Sequence, residues 1–249
     1  MRNPGAHCLA GRNSAFGGGI CATVLIVVLA ILAAANAKAE LPAENADGWE
    51  LRKEDGNIRV YTIEQQDSSF KAFKAVAVLD TPLETLMAVM INPRSCVEWV
   101  LNCSESYAFG KGNFSDRYAY SVNDMPWPVT DRDYVLHIRT QGNRASGVVI
   151  MELNATPNQR AESSNRVRVD RSDTLYRFEA KGEKTRMVWI QHTDPNGALP
   201  GWLVNSLLID IPIKSIQSLE RVAKEDQYQG FGLVYDESGT LIDVQPSDS

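Results

Sequence analysis

Histidine is scarce in this 249-residue chain, with three in all. His137 and His192 lie on alternating segments with no carboxylate or nucleophile at a recognisable spacing, so each reads as a solvent-facing or satisfied polar residue. A Gly-x-Ser-x-Gly elbow, a His-Glu-x-x-His pair and a phosphate-binding glycine loop are missing too, which leaves no catalytic or cofactor signature and no metal-site pattern. Positive charge is short: 25 Lys and Arg face 31 Asp and Glu, for a formal charge of −6. That is an acidic balance, with no sign of the basic stripe demanded by nucleic acid or an anionic membrane surface. Repeats and low-complexity runs are absent, and 44% hydrophobic with 22% charged residues suits one large globular domain, not a disordered chain.

A full-length membrane span is missing as well. The uncharged apolar run from Ile20 to Ala35 falls short of the ~20 residues a span needs. Arg2 and Arg12 precede it and Ala37-Lys38-Ala39 follows it, so residues 1–39 are expected to be an export signal cleaved after Ala39. The rival reading is an uncleaved N-terminal anchor, since the segment before the run is long and includes Gly17-Gly18-Gly19. Either way the domain is expected to be exported. Losing Arg2, Arg12 and Lys38 would take the formal charge from −6 to −9. Of four cysteines only Cys96 and Cys103 would remain, and with no histidine or second pair nearby they are a disulfide candidate and not a metal site. The alternative is two thiols that never meet, which geometry decides.

What is present is organised around Pro126 to Arg139. After a turn-rich entry of two prolines and Thr130-Asp131 comes a period-two strand, with Tyr134, Leu136 and Ile138 on one face and Val135, His137 and Arg139 on the other. Before it, Asp55-Gly56 separates two alternating runs as a hairpin turn would, and Phe70 to Leu79 supplies a third strand. Thr81 reads as the cap of a short apolar helix from Leu83 to about Ile91, with Pro82 at its first position and Asn92-Pro93 ending it. From Glu105 to Thr193 alternating runs follow one another at hairpin spacing, an antiparallel meander, and residues 154–165 form its longest polar gap, expected to be a mobile loop at the rim. After the turn Asp194-Pro195-Asn196-Gly197, Leu199 to Glu225 reads as a long helix, with Pro212 expected to kink it. A helix that apolar must lie across the inner face of the sheet. Residues 227–249 form a tail with a plausible hairpin.

Two stretches, Pro126 to Val135 and Asp194 to Asn205, resemble signature segments of START (StAR-related lipid-transfer) domains, and Trp49 and Glu98-Trp99-Val100 fit the same order. The resemblance spans roughly residues 48 to 226, so 40–226 is expected to be the domain. It implies an α+β helix-grip fold: a curved antiparallel sheet wrapped around a long C-terminal helix, with an internal hydrophobic tunnel that holds one lipid. It implies a lipid-transfer protein that needs no cofactor and touches membranes transiently, here in a bacterial periplasm. The Arg132-Asp133-Tyr134-Val135 form of the motif is similar to the phosphatidylcholine-transfer branch, whose aromatic box for choline includes the position of Tyr134. Its other positions fall near Ser121, Leu136 and Ser172, and Tyr120 offers a substitute. The sterol branch's arginine position falls on Ile138. The implied tunnel lining is Tyr134, Leu136, Ile138, Trp189, Trp202, Leu203, Leu207 and Ile211, and the headgroup candidates are Arg94, Tyr120, Arg132 and Tyr134. Asp131-Arg132-Asp133 reads first as a group of charges pairing among themselves or with a neighbouring loop. A phospholipid is the expected ligand and a sterol the alternative. A cyclase- or aromatase-type enzyme on the same architecture and a lipid sensor that does not transfer are the rival functions.

Overall fold

The computed structural model describes residues 41–197 and 199–247. The expected export segment lies outside them. In chain order the elements are β1 (Glu50–Asp55), β2 (Ile58–Ile63), β3 (Ala72–Leu79), α1 (Leu83–Ile91), α2 (Cys96–Trp99), β4 (Cys103–Phe109), β5 (Asp116–Asn123), β6 (Arg132–Asn143), β7 (Val148–Ala155), β8 (Val167–Arg168), β9 (Arg171–Lys181), β10 (Lys184–Asp194), α3 (Gly201–Val222), β11 (Phe231–Tyr235) and β12 (Leu241–Pro246).

The first ten strands make one sheet in the order β1-β2-β3-β10-β9-β7-β6-β5-β4, so β10 returns to lie beside β3 and closes the meander onto the N-terminal strands. All pairs on that path are antiparallel. The exception to the expected meander is β8, which lies off the path and pairs parallel to β6 at Arg132↔Val167 and Asp133↔Arg168. Alternation sends Phe73, Ala75, Ala77, Tyr176, Phe178, Met187 and Trp189 to the inner face, where they are buried.

Helix α3 crosses that inner face, as the pattern of its apolar residues required, and its two halves do different work. Ile213, Ile216, Leu219 and Val222 in the second half are buried in the core, and Ser215 accepts the Leu101 amide at 2.9 Å. Pro212 lies inside the helix, at the boundary. The first half, through Leu207, Leu208 and Ile211, is only half-buried. Helix α1 starts without the expected hydroxyl cap. Pro82 occupies the cap position, and Thr81 instead gives its carbonyl to the Thr185 hydroxyl at 2.8 Å.

The β11–β12 pair packs on α1, with Leu241 and Val244 buried. Gly142 of β6 permits that approach, because a Cβ there would come within 2.9 Å of a Leu241 methyl. A disulfide joins Cys96 to Cys103, Cα atoms 5.9 Å apart, and brackets the buried Trp99.

Candidate functional site

Between the concave sheet face and the first half of α3 lies a cavity of about 200 Å³. Its lining follows strand phase. Tyr134, Leu136 and Ile138 enter from β6, with Ala119, Ser121 and Asn123 of β5 beside them. From β9 come Ser172, Thr174 and Tyr176, and opposite them in register Thr193, Gln191 and Trp189 of β10. Helix α3 contributes Val204, Leu207, Leu208 and Ile211. Thus Tyr134, Leu136, Ile138, Trp189, Leu207 and Ile211 meet at one cavity.

Two of the sequence candidates do not. Trp202 is 62% exposed and Leu203, though buried, lies outside the lining. The first turns of α3 carry apolar residues around most of the helix, so periodicity could not say which ones turn inward.

The headgroup candidates divide more sharply. Tyr134 is on the cavity wall, and its hydroxyl has no hydrogen-bond partner among the described residues; burial pushes it up to about 12, the Arg132 charge opposing. Tyr120 faces the other side of the sheet. It is buried there, donates to Asp133 Oδ2 at 3.0 Å and accepts from Arg166 at 2.9 Å. Arg94 is exposed and outside the lining. Arg132 is buried too, and donates to the Pro195 and Asn196 carbonyls at 3.0 and 2.7 Å. It fastens the turn before α3 to the start of β6. A guanidinium spent on backbone carbonyls is not free for a phosphate.

Asp133 takes the remaining charge of that motif. Arg168 of β8 reaches it through two bonds, 3.0 Å to Oδ1 and 2.8 Å to Oδ2, with both side chains almost wholly buried. The same guanidinium donates to the carbonyls of Pro157, Arg160 and Ala161. Residues 154–165 are therefore held to the outer face, with Arg160 stacked 4.4 Å from the Tyr120 ring. The expectation of a loop at the rim is corrected by this buried pair, which sequence alone could not connect.

Sequence reasoning also missed Lys71, Phe73, Trp99, Tyr176 and Gln191 on the lining. The signal for three of them was there: Lys71, just before β3, is in phase with Phe73 and Ala75 on it, and Tyr176 is in phase with Ser172 and Thr174 along β9. Trp99, Tyr176 and Trp189 form one aromatic wall, ring centroids 5.1 to 6.2 Å apart. Trp189 donates to Gln191 at 3.0 Å, Gln191 to Thr193 at 2.8 Å, and Thr193 shares a bond with Ser172.

On the outer face, His192 is buried beneath the connection from β2 to β3, and its Nε2 has no partner. Arg171 stands beside it and ties Asp67 of that connection at 3.0 and 3.1 Å, with Asp173 also facing it. Burial first, then the Arg171 charge, holds the imidazole below its ordinary value of 6.5. The unfolded chain therefore takes up the proton first on acidification. Stability from this group is complete above about 6.5 and is lost as pH falls through that value toward the folded one. The urea midpoint is expected to drop between about pH 7 and about pH 5 more steeply in the wild type than in His192→Gln. Equal slopes would remove His192 as the cause. Asp67 is lowered below 3.8 by Arg171, so its own contribution changes at more acid pH.

A family model for the START domain matches residues 30–223. The chain belongs to the START domain family. An uncharacterised protein of Pseudomonas aeruginosa, PA1579, is 32% identical over 181 residues, covering 72% of this chain and 89% of that one. The bovine phosphatidylcholine transfer protein is 27% identical over 174 residues, 68% of this chain and 81% of the relative. Among solved structures, a STAR-related lipid transfer protein fragment from Xanthomonas axonopodis superposes with a TM-score of 0.66 at 23% identity, covering 72% of this chain and all of that one. That last likeness places the helix-grip fold, in which α3 lies in the grip of the START sheet.

Proposed function

We propose that this START domain holds one lipid, a phospholipid, in the cavity beneath α3 and carries it across the periplasm of a bacterial envelope. The observation that carries the reading is the cavity itself: an apolar pocket under a helix, lined by an aromatic wall and aliphatic side chains, with hydroxyls and amides converging at one end. A lipid chain in water costs about 0.8 kcal/mol for each exposed CH₂, and such a pocket removes that cost during transit. The bovine relative's name, phosphatidylcholine transfer protein, supports both the ligand class and the movement.

The size of the cavity says how loading must proceed. An engineered cavity of about 150 Å³ takes benzene, so one of about 200 Å³ offers too little space for two acyl chains. Loading requires the half-buried first half of α3 to move away from the sheet, while the second half stays in the core. Trp127, 93% exposed, and Trp202, at the start of α3, suit the transient membrane contact this needs. Arg132 links the two segments that carry them, through Thr130 on one side and Pro195 and Asn196 on the other.

Export is supported by the charged start, the apolar run and Ala37-Lys38-Ala39, and the Cys96–Cys103 disulfide suits an oxidising compartment. The test is native mass spectrometry of the protein expressed from its full gene and purified without detergent. One phospholipid mass per chain is the expected result. A clean protein mass, with nothing taken up from added vesicles, would remove the carrier reading. Exchange of the bound lipid between vesicles separates a carrier from a sensor.

A further inference from the structure

The cavity is polarised along the strands. In β9 and β10 the register sets Ser172 against Thr193 and Thr174 against Gln191, and then Tyr176 against Trp189 and Phe178 against Met187. In β5 and β6 Ser121 stands against Tyr134, and the next inward pair is Ala119 with Leu136. Each pair of strands therefore turns from polar to apolar in the direction of the core. At the polar end, just before β3, lies Lys71, the one charged side chain among the described lining residues. Its Nζ is 2.7 Å from Glu64, whose own side chain is 76% exposed. Such a partner is held weakly and can be exchanged for another anion.

A phosphodiester carried deep into this pocket would lose its water and meet no cation, whereas at the polar end it meets the Lys71 ammonium. Resting on the reading of the cavity as a phospholipid site, we propose that the lipid lies with its chains inward, toward Ile138, Met151 and Tyr176, and its phosphate at the rim on Lys71. Glu64 gives way to the phosphate. The ester region then lies along the hydroxyls of Ser121, Tyr134 and Thr193. The headgroup beyond the phosphate faces the opening, so the site reads the phosphate and the chains more closely than the headgroup's identity.

The experiment compares two fluorescent phosphatidylethanolamines, labelled with NBD on the headgroup or on an acyl chain, taken up by the full-length purified protein from phosphatidylethanolamine–phosphatidylglycerol vesicles. Dithionite added to the isolated complex is expected to bleach the headgroup label at least roughly tenfold faster than the chain label. The reverse order would overturn the orientation while leaving the lipid site intact. Uptake of neither probe would overturn the phospholipid reading and the orientation with it. Lys71→Glu is expected to lower phospholipid loading roughly tenfold, with Lys71→Arg retaining it and loading of diacylglycerol, which lacks the phosphate, unchanged. Equal loss of phospholipid and diacylglycerol in Lys71→Glu would show that Lys71 does not act on the phosphate.

Discussion

Asp133→Ala is expected to lower the unfolding free energy by about 3–5 kcal/mol, the range for breaking a buried ion pair from one side. The carboxylate is 1% exposed and Arg168 3%, so removal leaves a guanidinium without counter-charge in a place water does not fill. Hydrogen bonding to Asp133 is the first cause of the raised Arg168 pKa, and although that support goes with its partner, a guanidinium stays protonated at any ordinary pH, so the charge remains. The loss spreads outward. Tyr120 loses the acceptor of its hydroxyl proton, and the carbonyls of Pro157, Arg160 and Ala161 depend on an arginine no longer fixed from the other side. The ligand wall is affected as well, because Tyr134 follows Asp133 on β6 and projects from the opposite face. Urea unfolding is the measurement. A second variant, Asp133→Ala with Arg168→Met, removes both charges and is expected to recover most of the loss. A change below about 1 kcal/mol in the single variant would show that water reaches the pair.

Much of this architecture could be read in advance where one physical rule governs. Alternation along β6 placed Tyr134, Leu136 and Ile138 together without knowledge of any neighbour, because side chains of a strand must take opposite faces in turn. Phase between strands is another matter. Tyr120 looked available to a ligand, yet Ser121 pairs with Tyr134 and takes the inner face, which sends Tyr120 outward. That depends on register, and register is set by partners far away in the chain. The same limit hid Arg168, 35 residues from the aspartate it serves. Trp202 failed for a third reason, since a helix segment apolar on most sides has no face that its sequence singles out. Lys71 was overlooked because a lone lysine at a strand's start usually marks a solvated edge. Only the folded cavity makes it the single charge among the described lining residues.

Filling the cavity gives the second large effect. Leu136 stands on the inner face of β6 between Tyr134 and Ile138, half-buried and against open space. In a packed core, Leu136→Trp would cost about 1–3 kcal/mol through strained rotamers. Here the indole extends into a void of about 200 Å³, so the urea midpoint is expected to stay near the wild-type value. Ligand uptake is expected to fall at least roughly tenfold, because the volume meant for the chains is occupied by a side chain that cannot leave. Val78→Trp is the control. It adds the same indole to the exposed outer face of β3, where Val78 is 45% exposed, and is expected to leave uptake unchanged. Native mass spectrometry reads both variants. Full lipid occupancy in Leu136→Trp would mean that the lipid does not use this pocket, or that α3 moves far enough to make a larger one. Crossing the variant with a disulfide that fastens the first half of α3 to the sheet decides between these. If the helix makes the room, the locked Leu136→Trp chain loses the lipid; if the lipid binds elsewhere, it keeps it.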